Sequence, residues 1–436
     1  MTNQPKPTVL IVGGGVFGTS TAYHLATRGY GSVTVLDRFD APSKDSAAAD
    51  LNKVVRADYP NPLYAQLAME AMKEWKDPAH PIFSGLYRET GWIMGAHEKT
   101  LPWIQSAYDT AKRIGRKGVG FLTVPEIHKR WPALSGEFND WTNLWSPAAG
   151  WVPSGQALLR MANAAREKGV RYLFGDAGFV KKLVYDDHTG ACTGVVTADG
   201  TVHHADLVIV SNGAAAATIL PDARNECVAQ GSAICVIQLT EEEAKKYRAT
   251  PIVEDFEQAI IFPPDENNMI KLCTCRALTN FNNKILPGAS ILHSLGDYPY
   301  DGCPKEIEDE IHSFIGEVIP ELADRPFVST KVCWDAVAGD LNFRVGPYPG
   351  TKNLFVATLG SNHGFKFLPV IGKYVADMIE GSLGQEWLDL WRWKNGKVPA
   401  DHKDPHPYPL RDLSTLTGWK NKHVANSMVP WAWSRL

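Results

Sequence analysis

Residues 7–39 read PTVLIVGGGVFGTSTAYHLATRGYGSVTVLDRF. Residues 8–12 are a short apolar run of the kind found in a buried parallel strand. Gly13, Gly15 and Gly18 follow in the spacing GxGxxG, residues 19–28 have helical character, and SVTVLD reads as a second strand ending at Asp37. In this setting the glycines permit a tight turn, a close approach to a pyrophosphate, and close packing of helix on strand. The helix N-terminus adds free N–H groups and the positive end of a dipole for the phosphates. Asp37 stands about 20 residues after the last glycine, where an acid accepts hydrogen bonds from ribose hydroxyls and disfavours a 2′-phosphate. The alternative, a glycine turn that binds nothing, leaves the strand, the helix and the acid unexplained together. NAD and FAD both satisfy this stretch.

Working outward, residues 63–75 carry Leu63, Leu67, Ala71 and Trp75 at a period of four, a helix with one apolar face. Residues 90–96 read as a strand, and 156–170 as a helix closed by Gly169 and followed by the strand RYLFG. A hairpin around Asp199-Gly200 leads into the buried strand LVIV, a further member of the nucleotide-binding sheet. A last strand, Leu354 to Thr358, runs through a glycine-rich turn into a helix from about Leu368. Two strand–turn–helix units, one near each end of the chain, suit a long dinucleotide held at both ends, which favours FAD. The expected fold is therefore an α/β dinucleotide-binding domain built from residues 1–80, 146–224 and 326–436. It is interrupted by an α+β substrate domain with a mixed or antiparallel sheet, residues 81–145 and 225–325.

The chain has 436 residues, of which 44% are hydrophobic and 21% charged, with a net charge of −4. These values are globular, and they argue against a nucleic-acid or anionic-membrane partner. No apolar run approaches the ~18 residues of a spanning helix, and the polar start MTNQPKP suggests no signal peptide. Seven cysteines, an odd number at irregular spacing, fit a reducing compartment. Cys273 and Cys275 form CxC without a second pair nearby, so no metal is expected. Cys333, in KVCWDAVAGD (331–340), is open to two readings: a small buried hydrophobe or a reactive thiol.

The stretches IVGGGVFGTSTAYHLATRGY, LNKVV, IKLC, VCW, GSNHGFKFLPVIGKYV and LWRW resemble the D-amino-acid-oxidase-like flavoproteins. Within them they are most similar to monomeric sarcosine oxidase and the fungal fructosyl amino acid oxidases, or amadoriases. The resemblance runs over essentially the whole chain. It implies FAD held by Gly13, Gly15, Val16, Phe17, Gly18, Asp37, Arg38 and Ser46 at one end. At the other it implies Lys53, Gly360, Asn362, Gly364, Phe365 and Lys366, with Cys333 as a covalent thioether to the flavin. The threonine-rich context that the family has after this cysteine is replaced here by WDAVAGD.

Lys271 matches the family's oxygen-activating lysine, a fixed cation that stabilises developing superoxide and reduced flavin. Lys53 is implied to face flavin and substrate. Lys366 and Arg56 match the positions that hold a substrate carboxylate, for which the guanidinium is suited by its bidentate geometry. The amadoriases usually lack an arginine there, and they place an acid where this chain has Cys275. Both departures point to an amino-acid substrate gripped by its carboxylate. The expectation is an FAD amine oxidase, acting as a monomer on an N-substituted or cyclic α-amino acid of the saccharopine, pipecolate or sarcosine type, with O2 reduced to hydrogen peroxide. The alternatives are a deglycating amadoriase, a biosynthetic oxidase whose imine cyclises, a flavoprotein without oxidase turnover, and an NAD-dependent dehydrogenase. The chain ends in Ser434-Arg435-Leu436, a small–basic–leucine terminus of the peroxisomal type.

Overall fold

The computed structural model describes residues 6–397 and 408–419. The apolar run becomes the strand Val9–Val12, in the interior of a six-stranded sheet. The order across that sheet is Arg344–Pro347, Leu354–Thr358, Leu207–Val210, Val9–Val12, Val33–Leu36 and Arg171–Leu173. Neighbours pair in parallel except Arg344–Pro347, which runs antiparallel to Leu354–Thr358. Side-chain alternation splits Val9–Val12 between two cores. Val9 and Ile11 join the core formed with the helices Val16–Thr27, Ser154–Glu167 and Ile371–Ile379. Leu10 and Val12 pack with the three-stranded antiparallel sheet Val180–Tyr185, Cys192–Thr197 and Val202–His204, whose last two strands flank the expected Asp199-Gly200 turn. A strand covered on both faces must be apolar at every position, which is why VLIV and LVIV do not alternate.

The helix expected over 19–28 begins earlier, as Val16–Thr27. Gly13 adopts φ +105°, and a Cβ there would fall 2.6 Å from the Ser211 carbonyl oxygen. A Cβ on Gly18 would fall 1.9 Å from the Gly13 carbonyl oxygen. Close packing thus draws residues 16–18, glycine included, into the first helical turn. The helix expected from about Leu368 begins later. Phe365–Phe367 forms a 3-10 turn and the α-helix starts at Ile371, past Pro369, which has no N–H to extend a ladder.

The second sheet runs Arg411–Asp412, Leu278–Thr279, Cys227–Gln238, Met269–Thr274, Ala259–Ile261, Ile252–Asp255, Trp92–Ala96, Thr142–Ser146 and Gly120–Leu122. Ser329–Ala338 also pairs with Cys227–Gln238, from Ser329 opposite Val236 to Ala338 opposite Cys227. This strand, which the sequence did not disclose, falls within the segment 326–436 and pairs in the second sheet. Val332 and Trp334 join the face covered by the helix Lys305–Val318, which seats Ile307, Ile311, Phe314, Ile315 and Val318 there. Burying each such side chain is worth about 1.5–3 kcal/mol. The alternate residues, among them Glu254, Lys271, Cys273 and Cys333, line the opposite, hollow side. Among the described residues no helix is long and apolar enough to cross a membrane.

Candidate active site

A cavity of about 1270 Å³ lies between the two sheets, larger than the roughly 300–1,000 Å³ of an ordinary small-ligand site. Gly13, Gly15, Val16, Phe17, Asp37, Arg38 and Ser46 line one part of it. Asp37 Oδ2 accepts the Gly14 N–H at 2.7 Å, and Oδ1 accepts the Phe39 N–H at 3.0 Å and the Ser43 hydroxyl at 2.7 Å. Burial raises its pKa against these bonds. Arg38 is paired with Asp297, 2.9 Å between Nη1 and Oδ2, which ties the first sheet's margin to the second domain. Gly15 caps the helix Val16–Thr27 without any side-chain bond, so its first N–H groups stay available. Ser211 Oγ, Asn212 Oδ1 and Thr358 Oγ1 are buried, line the cavity, and have no hydrogen-bond partner among the described residues. Leaving polar atoms so costs free energy unless a ligand meets them. A dinucleotide with its pyrophosphate at Gly15 fits all of these features.

The turn after Leu354–Thr358 borders the same cavity. Leu359, Ser361 and Asn362 all have φ between +48° and +63°, a costly conformation that collects at functional sites. It is held by Asn362 N–H donating to Asp335 Oδ2 at 2.8 Å and Ser361 N–H to the Ala336 carbonyl at 2.9 Å. Gly364 leaves room for Phe17, whose ring would lie 3.1 Å from a Cβ there. Gly360, Asn362, Gly364 and Phe365 thus reach the cavity together.

A buried carboxylate that the sequence did not disclose stands among the lysines of the second sheet and the strand Lys53–Val55. Asp50 Oδ2 accepts from Lys271 Nζ at 2.6 Å and lies 2.9 Å from Lys53 Nζ. Burial alone would raise its pKa, but Lys271, Lys53 and Lys331 together pull it far down. The Lys53 pKa is raised, the Asp50 charge outweighing burial, whereas burial wins at Lys271 and lowers it. Lys331 donates to the Ala49 carbonyl at 2.6 Å. Cys333 Sγ lies 3.9 Å from Lys53 Nζ and 3.5 Å from the Ala47 carbonyl, on the cavity wall.

The substrate-facing candidates form a second group. Lys366 Nζ donates to the Tyr59 hydroxyl at 2.9 Å and the His363 carbonyl at 2.8 Å. Burial and the neighbouring Arg56 push its pKa well down. The Arg56 guanidinium lies over Tyr59, Trp92 and Trp103, 4.5, 4.9 and 5.4 Å from their ring centres. It donates to the Asp58 carbonyl oxygen, while the Asp58 carboxylate is taken by Arg116 and Ser146. Cys275 brings a neighbour the sequence did not disclose: its Sγ lies 3.6 Å from Glu254 Oε1. Burial raises Glu254 to about 7 against the pull of Arg56. An acid therefore does occupy the region where the sequence showed only Cys275, supplied by the strand Ile252–Asp255 instead. An acidic pair, Glu254-Asp255, closing the apolar start of PIVED (251–255) was its one signal.

The model of the FAD dependent oxidoreductase family matches residues 8–378. The chain belongs to this family. L-saccharopine oxidase of Schizosaccharomyces pombe is 35% identical to it over 91% of this chain and 95% of that protein. Monomeric sarcosine oxidase of a Bacillus species is 24% identical over 85% and 91%. Among solved structures, the deglycating fructosamine oxidase Amadoriase II of Aspergillus fumigatus superposes with a TM-score of 0.82 at 32% identity, covering 96% of this chain and 98% of that one. The protein is an FAD-dependent oxidoreductase, which replaces the nicotinamide alternative.

Proposed function

We propose that the protein oxidises the C–N bond of an N-substituted or cyclic α-amino acid whose carboxylate is held by Arg56 and Lys366. The observation that carries this reading is that both cations line the cavity, Lys366 buried among neutral partners and Arg56 stacked on aromatic rings. A substrate carboxylate supplies the charge such a pair calls for. The names of the relatives, an L-saccharopine oxidase and a sarcosine oxidase, support the same class. Bound flavin would supply the redox chemistry, hydride acceptance from the carbon beside the nitrogen and reduction of O2 to hydrogen peroxide, and Gly13, Gly15, Asp37 and the turn 360–365 would hold it. The chain's part is to orient the amine, hold its carboxylate, and keep Lys271 as a fixed charge by the reactive edge.

A peroxide-coupled screen over L-saccharopine, pipecolate, sarcosine and fructosyl-lysine tests the reading. Turnover of the amino acids without the sugar derivative is expected, and turnover of fructosyl-lysine alone overturns it. That deglycating reading is favoured by Glu254, which gives the pocket an acid beside Cys275.

Three finer proposals accompany it. Cys333 carries the flavin covalently, so acid-precipitated protein stays yellow and Cys333→Ser releases its flavin; a colourless wild-type pellet rules this out. The protein works as a monomer, which sedimentation checks. Ser434-Arg435-Leu436 directs it to peroxisomes; these residues lie outside the described ones, and a reporter fused to the terminus tests them.

A further inference from the structure

We propose that Glu254 accepts the proton of the substrate ammonium, so that the amine reacts in its unprotonated form. This rests on the amine-oxidase reading above and names a residue for a step that reading leaves open. An ammonium has no lone pair on nitrogen to assist loss of hydride from the neighbouring carbon, so the proton must leave first. No electrons move in that step. The N–H bond breaks, its electron pair stays on nitrogen, and the proton joins a Glu254 oxygen. The carboxyl group returns the proton to solvent after the product leaves.

Three observations carry the assignment. Glu254 stands directly opposite Ile260, and Ile260 directly opposite Cys273, so the three share the cavity face of the second sheet. At about 4.8 Å per strand this puts the Glu254 strand roughly 10 Å from the strand of Lys271 on the same cavity wall. Second, Arg56 and Lys366 lie near Glu254 and act on its charge. An amino acid whose carboxylate meets the two cations has its nitrogen one carbon away, in the part of the cavity that Glu254 lines; the Asp335 carboxylate, which also acts on Lys366, already accepts the Asn362 N–H. Third, the carboxylate is poised for exchange, its pKa lifted by burial to about 7. A base titrating near the working pH takes and returns protons efficiently.

The charged and titratable groups that face it are Arg56, Lys366 and the Cys275 thiol, and the Trp92 indole also favours its anion. The adjacent Asp255 points to the other face, 2.9 Å from His97 Nε2.

The test is anaerobic stopped-flow reduction of the holoenzyme with the best amino acid from the screen, from about pH 6 to about pH 10.5, the range over which an amine near the lysine value titrates. Wild type, Glu254→Gln and Glu254→Asp are compared. At neutral pH Glu254→Gln should reduce roughly a hundredfold more slowly, within the usual range for a proton acceptor, and Glu254→Asp should recover part of the loss. Above the pKa of the amine the gap should close, because free amine then arrives from solution. A second readout is independent of turnover: the dissociation constant of a thioether acid in which sulfur replaces the amine nitrogen. Glu254→Gln should bind it at least as tightly as wild type, since the cations near it lose a competing anion.

A deficit that persists unchanged at high pH, or weaker binding of the thioether acid, overturns the proposal and assigns Glu254 a structural role. Undiminished reduction by Glu254→Gln at neutral pH overturns it as well. Wild type that oxidises no amino-acid amine instead overturns the reading of function, and the proposal falls with it.

Discussion

Around Asp50 one carboxylate is approached by lysines from three strands of the cavity wall, Lys53, Lys271 and Lys331. Around Arg56 the proportions are similar in kind, two cations with Glu254 beside them, but the bonding differs. Asp50 is tied at 2.6 and 2.9 Å to two of its lysines, and the third bonds a carbonyl of the same loop. Arg56 and Lys366 instead bond neutral oxygens, the Asp58 carbonyl and the Tyr59 hydroxyl. The first cluster completes itself from within the chain and carries its charge as a fixed feature. The second leaves its charge to be answered from outside, which is the property a binding site needs.

The largest expected effect comes from breaking the self-contained cluster. Asp50→Asn leaves buried lysines facing one another without their counter-ion, a change of the kind that costs about 3–5 kcal/mol. Thermal and urea unfolding should both register it, and a variant as stable as wild type would show that the lysines shed their protons at no cost. The pH dependence gives the sign. Asp50 has a depressed folded pKa, so its contribution is complete above the unfolded value of about 3.9 and is lost as the pH falls toward the folded one. Asp50→Asn should therefore lower stability throughout the neutral range and flatten the acid limb.

Next in size is Lys271→Met, which removes one of those lysines and leaves Lys53 to pair Asp50. If the fixed charge serves the oxygen half-reaction, reoxidation should slow about a hundredfold, roughly 3 kcal/mol, while anaerobic reduction changes far less. Stopped-flow traces in which reduction falls and reoxidation is untouched would assign Lys271 to the substrate side.

How far these clusters could be read in the sequence differs for a physical reason. The glycine turn, its flanking strand and helix, and the LVIV strand were legible because backbone geometry dictates their residues locally. At Gly13 and Gly18 a Cβ would strike main-chain atoms. The strand Ser329–Ala338 was not legible because its partner lies about a hundred residues earlier, at Cys227–Gln238, and no local signal names a partner. Asp50 and Glu254 were missed for the same reason. Asp50 looks like one acid in a polar loop until Lys271 arrives from another strand. Glu254 looks like a strand-end acid until Cys275 is brought beside it by way of Ala259–Ile261. Lys271, Lys53, Arg56, Lys366 and Cys333 could be proposed from resemblance; what each touches could not.

On the open cluster, Arg56→Ala should raise KM for an amino-acid substrate by about 2 kcal/mol, near thirtyfold, at the low end for truncating one partner of a desolvated pair. An amine without the carboxylate should lose little. Equal losses on acid and decarboxylated substrates would reduce Arg56 to its packing over Trp92 and Trp103.

The smallest expected effect lies at Lys366, and it sharpens the comparison because it turns on protonation alone. Burial, with help from Arg56, holds its pKa well below 10.5, while Glu254 and Asp335 pull the other way. A carboxylate ligand binds the charged form, so binding raises the pKa and draws in a proton wherever the free lysine is neutral. The sign follows: affinity for a carboxylate is full at pH below the depressed value and falls as pH rises through it, earlier than an ordinary lysine would allow. Lys366→Arg keeps its charge throughout the accessible range, so it should bind a simple carboxylate with a flat alkaline limb. Relative to wild type at high pH the gain should be near tenfold, about 1.4 kcal/mol. Titration of a thioether acid against both proteins at several pH values measures it. Parallel alkaline limbs would show that Lys366 does not carry the charge that the carboxylate meets, and would leave Arg56 as the cation that does.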